Sequence, residues 1–186
     1  MKANIIHSTS QPNRMPILLK ELEQQGIKNY EIWEGKHDTT SVAKSINLSH
    51  KQIIEYAHVA EWDEVLIMED DIRFCGEGAF NYFLNNKPID FDIYLGGIYI
   101  GDISENNKVK YFTGFHCYIV SRKFYQTFLN TPDEEHIDVS LANLGDYYVS
   151  NPFTSIQYNG FSSNTRKSEN YDFLLQNRIL YNNFQL

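Results

Sequence analysis

Short apolar runs alternate along the chain with stretches whose apolar residues recur every three to four positions, a pattern typical of strands alternating with helices. The predicted strands are Ala3–His7, Tyr30–Trp33, Glu64–Met68, Phe91–Leu95, Val109–Phe112, Phe115–Val120 and Tyr147–Ser150. The predicted helices are Pro16–Gln25, His50–Ala60, Gly76–Leu84, Arg122–Leu129, Ile137–Leu144 and Tyr171–Tyr181. This alternation predicts an α/β fold with a mostly parallel sheet and helices on both faces.

Local signals add two details to this outline. Ser49 stands directly before an apolar helical stripe and is predicted to be its N-cap. Gly160–Asn170 is polar and rich in glycine and serine, so it is predicted to be a mobile loop.

Length and charge suggest a single domain over residues 1–186, without a broad basic surface. The 186 residues carry a formal net charge of −8, so no broad basic surface for nucleic acid or anionic membrane is expected, while a local basic groove stays open. Cys75 and Cys117 lack metal-ligand spacing and suggest free thiols in a reducing compartment, with a single bridge left open. No segment has the character of a signal peptide or a stable membrane span, so a cytoplasmic protein is expected.

Three consecutive carboxylates, Glu69, Asp70 and Asp71, follow the apolar run Val65–Met68. The end of a parallel strand lies at the edge where open α/β sheets bind ligands. Adjacent carboxylates repel one another unless a cation compensates, and Mg²⁺ and Mn²⁺ prefer oxygen ligands together with substrate phosphates. The triplet therefore indicates a metal–diphosphate site, with an acidic turn that caps the next helix as an equal alternative.

Several short motifs resemble, in order, those of the family 25 glycosyltransferases, the lipooligosaccharide and procollagen galactosyltransferase group. The matching positions are the turn with Arg14, Glu34-Gly35, Ser49-His50, the acidic triplet, 136–141 and 157–164. The resemblance implies a GT-A, Rossmann-like fold and a nucleotide-diphosphate sugar donor, most simply a UDP-sugar. It also implies Mn²⁺ or Mg²⁺ held by Glu69 and Asp71 as a DXD-like motif.

The same resemblance assigns further residues. Donor-binding positions carried over from it are Thr9, Arg14, Glu34, Ser49, His50, Asp70 and Ser163. Asp138 matches the position of a general base that takes a proton from the acceptor hydroxyl. From its place before a short helix alone, Asp138 is equally well explained as a helix cap. The family favours inversion of the sugar stereochemistry.

Other functions stay open at this level. The acceptor of a transferase could be a glycan or lipid-linked sugar, or hydroxymethylated DNA bases as in phage-type enzymes. Ser45-Ile46 stands where the family usually has Gly-Cys, and the chain is short, which would suit an inactive GT-A-like nucleotide-sugar-binding protein. A metal-dependent phosphodiesterase or nuclease would need a further His and Asp ligand set, which the scattered histidines do not form.

Overall fold

The computed structural model describes residues 1–162 and 165–174, and these form a mixed α/β fold. The helices are α1 Arg14–Gln24, α2 Val42–Val59, α3 Ala79–Asn85, α4 Tyr125–Leu129 and α5 Ile137–Ser140. The strands are β1 Ala3–His7, β2 Tyr30–Glu34, β3 Glu64–Glu69, β4 Ile72–Phe74, β5 Ile93–Leu95, β6 Ile100–Ile103, β7 Lys108–Thr113, β8 Cys117–Ser121, β9 Tyr147–Val149, β10 Ser155–Gln157, β11 Gly160–Ser162 and β12 Lys167–Glu169. No helix within these residues is long and apolar enough to cross a membrane.

Eight strands form the central sheet in the order β2-β1-β3-β8-β5-β9-β7-β6. β1 pairs in parallel with β2 and β3, and β5 pairs in parallel with β9. β8 lies antiparallel between β3 and β5, and β7 lies antiparallel between β9 and β6. Six strands therefore run in one direction and two in the other, so the predicted α/β fold is confirmed, with a sheet that is mixed in its pairing.

The continuous apolar character of β3 follows from its burial on both faces. Val65 and Ile67 pack into a cluster with Ile53 and Ile54 of α2. Leu66 and Met68 pack into the opposite cluster, which contains side chains of α1 and α3. Successive side chains of a strand point to opposite faces, so a strand covered by helices on both sides is apolar throughout.

The predicted start of the second helix is wrong. α2 begins at Val42, where the Ser41 side chain accepts a hydrogen bond from the Lys44 amide at 3.2 Å. Ser49 is buried in the middle of the helix and donates to the carbonyl of Ser45 at 2.6 Å. The first two turns of α2 contain several polar residues that bond locally, so the pattern of apolar residues does not show where the helix begins.

The predicted loop over Gly160–Asn170 is also corrected in part. β11 and β12 pair antiparallel as a hairpin, with Gly160 opposite Glu169 and Ser162 opposite Lys167. The predicted helix Ile137–Leu144 shortens to α5, while β4, β6 and β10 had no prediction. Most of the predicted helix Tyr171–Tyr181 lies outside the described residues.

The cap of α2 gives a test of this part of the fold. Replacing the Ser41 hydroxyl, in Ser41→Ala, should lower the free energy of unfolding by about 1 kcal/mol, because one amide of the first turn loses its acceptor. Ser41→Asp keeps an acceptor and should retain the stability of the wild type. Urea denaturation of the three proteins makes the comparison, and equal midpoints would contradict the assigned cap.

Candidate active site

The side chain of Asp70 is the buried centre of the site, directly after β3. Its Oδ2 accepts hydrogen bonds from His7 Nδ1 at 2.7 Å and from the Ser8 amide at 2.9 Å. Its Oδ1 accepts from Arg14 Nη1 at 2.8 Å. Only 4% of the side chain is exposed. Asp70 therefore joins the carboxyl ends of β3 and β1 to the first residue of α1.

Arg14 connects this centre to the hairpin. Its Nη1 lies 3.0 Å from Asp71 Oδ2 as well as contacting Asp70. Its Nη2 donates to the Phe161 carbonyl of β11 at 3.1 Å. The guanidinium thus partly compensates two carboxylates and holds one strand of the hairpin beside them.

Glu69 and Asp71 converge on one amide group. Gln157 Nε2 donates to Glu69 Oε2 at 2.6 Å and to Asp71 Oδ1 at 2.9 Å. Burial, together with the charge of Asp70, raises the pKa of Glu69 to about 8. Burial and the charge of Glu69 raise the pKa of Asp71 to about 7. Both side chains keep some exposure, 23% for Glu69 and 15% for Asp71, so they remain reachable from solvent.

His50 orients Glu69 from the far side. It is buried in α2, with Nδ1 2.7 Å from the Tyr118 hydroxyl and Nε2 3.2 Å from Glu69 Oε1. Burial lowers the pKa of His50 to about 3, so the ring is neutral. When the Tyr118 hydroxyl donates to Nδ1, the Nε2 proton is directed at the carboxylate of Glu69.

Asp138 lies near the same cluster, in the first turn of α5. Its Oδ2 accepts from the Gly114 amide at 3.2 Å and its Oδ1 from the Val139 amide at 2.9 Å. Its charge contributes to the raised pKa of Glu69 and acts on His50. The N-cap position of α5 belongs to His136, so Asp138 is not the cap that the alternative interpretation expected.

Helix α2 also holds the segment that leads to Asp138. Asn47, which is fully buried, donates to the carbonyls of Pro132 at 3.2 Å and Asp133 at 2.9 Å, and to that of Glu135. Lys51 lies one turn further along α2 and pairs with Asp133 at 2.5 Å. One helix therefore supports both the Glu69 side and the Asp138 side of the cluster.

The remaining predicted site residues lie around this cluster. Thr9 is exposed in the turn after β1, and Glu34 is exposed at the end of β2, opposite His7 in the register. Ser49 is buried and accepts from the Lys36 amide at 2.8 Å, so it supports the turn after β2. Ser163 lies outside the described residues. The structure thus brings together Arg14, His50, Glu69, Asp70, Asp71 and Asp138.

Two aromatic residues and one amide of the cluster were missed by the sequence analysis. Gln157 lies in the stretch 157–164, one of the motifs that resemble the family, but the sequence pattern indicates no role for Gln157, Tyr99 or Tyr118. Tyr99 donates its hydroxyl proton to Gln157 Oε1, and its ring stacks on Tyr171 with centroids 4.6 Å apart. The position of Gln157 at the end of a short strand is a weak signal, since only the pairing of β10 with β4 brings it to the triplet.

The chemistry of the cluster fits a hard divalent cation. Four carboxylates act on one another here, and Arg14 is the cation that lowers the pKa values of Glu69 and Asp71. Partly exposed carboxylate oxygens with unrelieved repulsion are suitable ligands for Mg²⁺ or Mn²⁺. Within the described residues, no group of three or more His, Cys, Asp and Glu side chains is arranged to hold a metal by itself. Glu69 and Asp71 would thus supply two ligands, and other oxygens would have to complete the set.

A cavity of about 530 Å³ lies elsewhere, along β6 and the end of β9. Its walls include Asp102, Glu105 and Phe153, and none of the residues of the acidic cluster. Asp102 and Glu105 are exposed. Since the interacting buried polar groups and the shifted pKa values occur at the acidic cluster, that cluster is the better candidate for chemistry.

Comparisons with known proteins bear on the fold. No protein-family model matches the sequence, and no curated protein is significantly similar to it. The crystal structure of HddC from Yersinia pseudotuberculosis complexed with GMP-PN is similar, with a TM-score of 0.52 and 13% identity over 81% of this chain and 90% of that one. The two chains therefore share a Rossmann-like α/β fold.

Two further structures are similar at lower scores. A197 from STIV has a TM-score of 0.49 and 13% identity, over 90% of this chain and 92% of that one. A putative glucose-1-phosphate thymidylyltransferase from Bacillus anthracis, in complex with a sucrose, has a TM-score of 0.48 and 13% identity, over 81% and 86%.

Neutralising Glu69 should change how the stability of the fold depends on pH, whereas neutralising its neighbour Asp70 should lower the stability itself. The folded state holds the Glu69 proton up to about pH 8, whereas the unfolded chain releases it near 4.5. The free energy of unfolding of the metal-free wild type should therefore fall as the pH rises through this window. Glu69→Gln does not titrate, so the Tm of this variant minus that of the wild type should increase from pH 4 to pH 8, by roughly 2–4 °C for each kcal/mol.

Asp70→Asn provides the contrast, because it places an amide donor against groups that already donate to Asp70. Its free energy of unfolding should fall by about 2–3 kcal/mol. Thermal unfolding in the presence of a chelator compares the variants. A Tm difference between Glu69→Gln and the wild type that stays constant from pH 4 to pH 8 would contradict the raised pKa of Glu69.

Proposed function

We propose that this chain is a metal-dependent glycosyltransferase that moves a sugar from a nucleotide-diphosphate donor to an acceptor hydroxyl. One observation carries the proposal: a partly exposed carboxylate pair, Glu69 and Asp71, adjoins a separately positioned carboxylate, Asp138, beyond the carboxyl ends of β1 and β3. Open α/β sheets bind their ligands at this edge.

The donor side of the proposal rests on charge and fold. Glu69 and Asp71 would hold Mg²⁺ or Mn²⁺, which as a Lewis acid neutralises the charge that develops on a leaving diphosphate. The fold shared with HddC, whose crystal structure contains GMP-PN, supports a nucleotide as part of the donor. The motif resemblance to family 25 glycosyltransferases favours a UDP-sugar.

Other residues of the cluster would position these groups. Only 4% of the Asp70 side chain is exposed, and protein groups donate to both of its oxygens, so Asp70 would hold Arg14 and the turn after β1 in place without contacting the nucleotide sugar. Neutral His50 would fix the orientation of Glu69 through its Nε2 proton. Arg14 would keep the carboxylates close together and the hairpin beside them.

Asp138 would act as the general base. Its carboxylate accepts only backbone amides, from Gly114 and Val139, among its hydrogen bonds in the described residues. An ionised carboxylate has further acceptor capacity, so it could take the proton of an acceptor hydroxyl. A single base opposite the leaving group, with no covalent sugar–enzyme intermediate, corresponds to inversion. We propose a glycan or lipid-linked sugar as the acceptor. Hydroxymethylated DNA is the alternative acceptor, to be tested beside it.

The metal-dependent step gives a binding prediction. Asp71→Asn should abolish Mn²⁺-dependent binding of UDP while the far-ultraviolet circular dichroism stays that of the wild type, because one carboxylate ligand is lost. Calorimetry with UDP, with and without Mn²⁺, measures the effect. Asp90→Asn, which removes an exposed carboxylate paired with Lys123, is the matched control and should bind as the wild type does. Unchanged metal-dependent affinity in Asp71→Asn would refute the site.

The base gives a kinetic prediction. Asp138→Asn should reduce turnover on the order of 10²–10⁴-fold while donor affinity changes little, because the base acts on the acceptor. The sugar donor is identified first, as the nucleotide sugar that raises the Tm of the protein most with Mn²⁺ present. Turnover is then measured as the release of UDP with glycan or DNA acceptors. Asp146→Asn is the control, since Asp146 precedes β9 and lies at the opposite edge of the sheet.

The outcomes separate the function classes. Normal turnover with reduced heat stability in Asp138→Asn would make Asp138 a structural residue. Donor binding without sugar transfer to any acceptor or to water would make the chain a nucleotide-sugar-binding protein.

A further inference from the structure

The amide of Gln157 lies within hydrogen-bond distance of both candidate metal ligands, Glu69 and Asp71. Its Nε2 is 2.6 Å from an oxygen of Glu69 and 2.9 Å from an oxygen of Asp71. An amide N–H carries only a partial positive charge, so it compensates two carboxylates less completely than a divalent cation would. The two candidate metal ligands are thus already joined through one neutral side chain.

Regular structure fixes the backbone of Gln157 at this position. Gln157 ends β10 and pairs with Ile72 of β4, the strand that follows the triplet. The next amide, of Tyr158, donates to the carbonyl of Asp71 at 2.7 Å. The approach of Gln157 to Asp71 therefore depends on two paired strands and not on a free loop.

The oxygen of the Gln157 amide contacts the hydroxyl of Tyr99, which can act as a hydrogen-bond donor or as an acceptor. The hydroxyl of Tyr99 donates to Gln157 Oε1, and its ring is stacked between His116 and Tyr171. A tyrosine hydroxyl can donate or accept, and the terminal torsion of glutamine has two broad minima half a turn apart. If the amide turned by 180°, its N–H would donate to Tyr99 and its oxygen would face Glu69 and Asp71. In both orientations the amide nitrogen and the amide oxygen each have at least one partner.

We propose that Gln157 is an amide-oxygen ligand of the divalent cation and turns its carbonyl toward Glu69 and Asp71 when the metal binds. This inference rests on the proposed function, which supplies the cation. Carboxylate and side-chain carbonyl oxygens are ordinary ligands of hard divalent cations. Glu69, Asp71 and Gln157 then provide three oxygens, and donor phosphates and water complete the coordination.

Two other roles for Gln157 predict different signs of effect. If the amide only fills the place of the cation, its removal frees the carboxylates and metal binding becomes tighter. If it only positions the carboxylates through hydrogen bonds, both an apolar and a carboxylate replacement weaken metal binding. A ligand is weakened by an apolar replacement and restored by a carboxylate, which also offers oxygen.

The test measures Mn²⁺ affinity, alone and with UDP, by calorimetry and by electron paramagnetic resonance of free Mn²⁺. Gln157→Leu should weaken binding roughly 10–100-fold. Gln157→Glu should bind at least as tightly as the wild type, although its metal-free form should be less heat-stable because a further carboxylate is added beside Glu69 and Asp71. Gln157→Met serves as the apolar variant if the Leu protein is unfolded by circular dichroism.

Gln25→Leu is the matched control. Its amide bonds the Gly76 carbonyl at 2.9 Å and the Phe80 amide at 3.1 Å, away from the triplet, so its Mn²⁺ affinity should stay that of the wild type. Tighter binding by the Leu variant, or weaker binding by both the Leu and Glu variants, overturns the assignment of Gln157 alone. A wild type that binds no Mn²⁺, with or without UDP, overturns the proposed metal site and this assignment together.

Discussion

The buried carboxylate of Asp70 is the contact on which the rest of the site depends. It accepts from His7, from the Ser8 amide and from Arg14, which come from β1, the following turn and the start of α1. A buried charge is tolerated when such donors surround it, and three donors bond to this one. The acidic edge of β3 is thereby held against the first strand and first helix, and Arg14 is placed beside Asp71.

This arrangement divides the triplet into unlike parts. The carboxylate of Asp70 is compensated by donors inside the protein, whereas the side chains of Glu69 and Asp71 are partly exposed and have raised pKa values. Ionisable residues that shift one another's pKa values in this way are common at ligand-binding sites, where they lower the stability of the fold. Gln157 donates to both of these carboxylates and His50 Nε2 contacts Glu69, and these contacts reduce the loss of stability.

The sequence was informative where local pattern decides structure, and silent where distant segments meet. The apolar run before Glu69 predicted a buried strand with carboxylates at its end, because burial on both faces leaves a local signature. The start of α2 was misplaced because Ser45 and Asn47 interrupt the apolar stripe. Gln157 meets Glu69 across 88 positions of the chain, through the pairing of two three-residue strands. Neither periodicity nor composition encodes such a pairing.

The wide separation of the contributing segments has a consequence for assembly. The cluster draws groups from β1, α1, α2, β3, α5 and β10, so no short contiguous fragment of the chain contains it. Non-local pairings of this kind form late, because loop closure must precede the contacts that reward it. Asp138 consequently meets Glu69, and the triplet becomes buried, only when the chain has nearly completed its native topology, so the raised pKa values of Glu69 and Asp71 belong to the folded site and not to the local sequence.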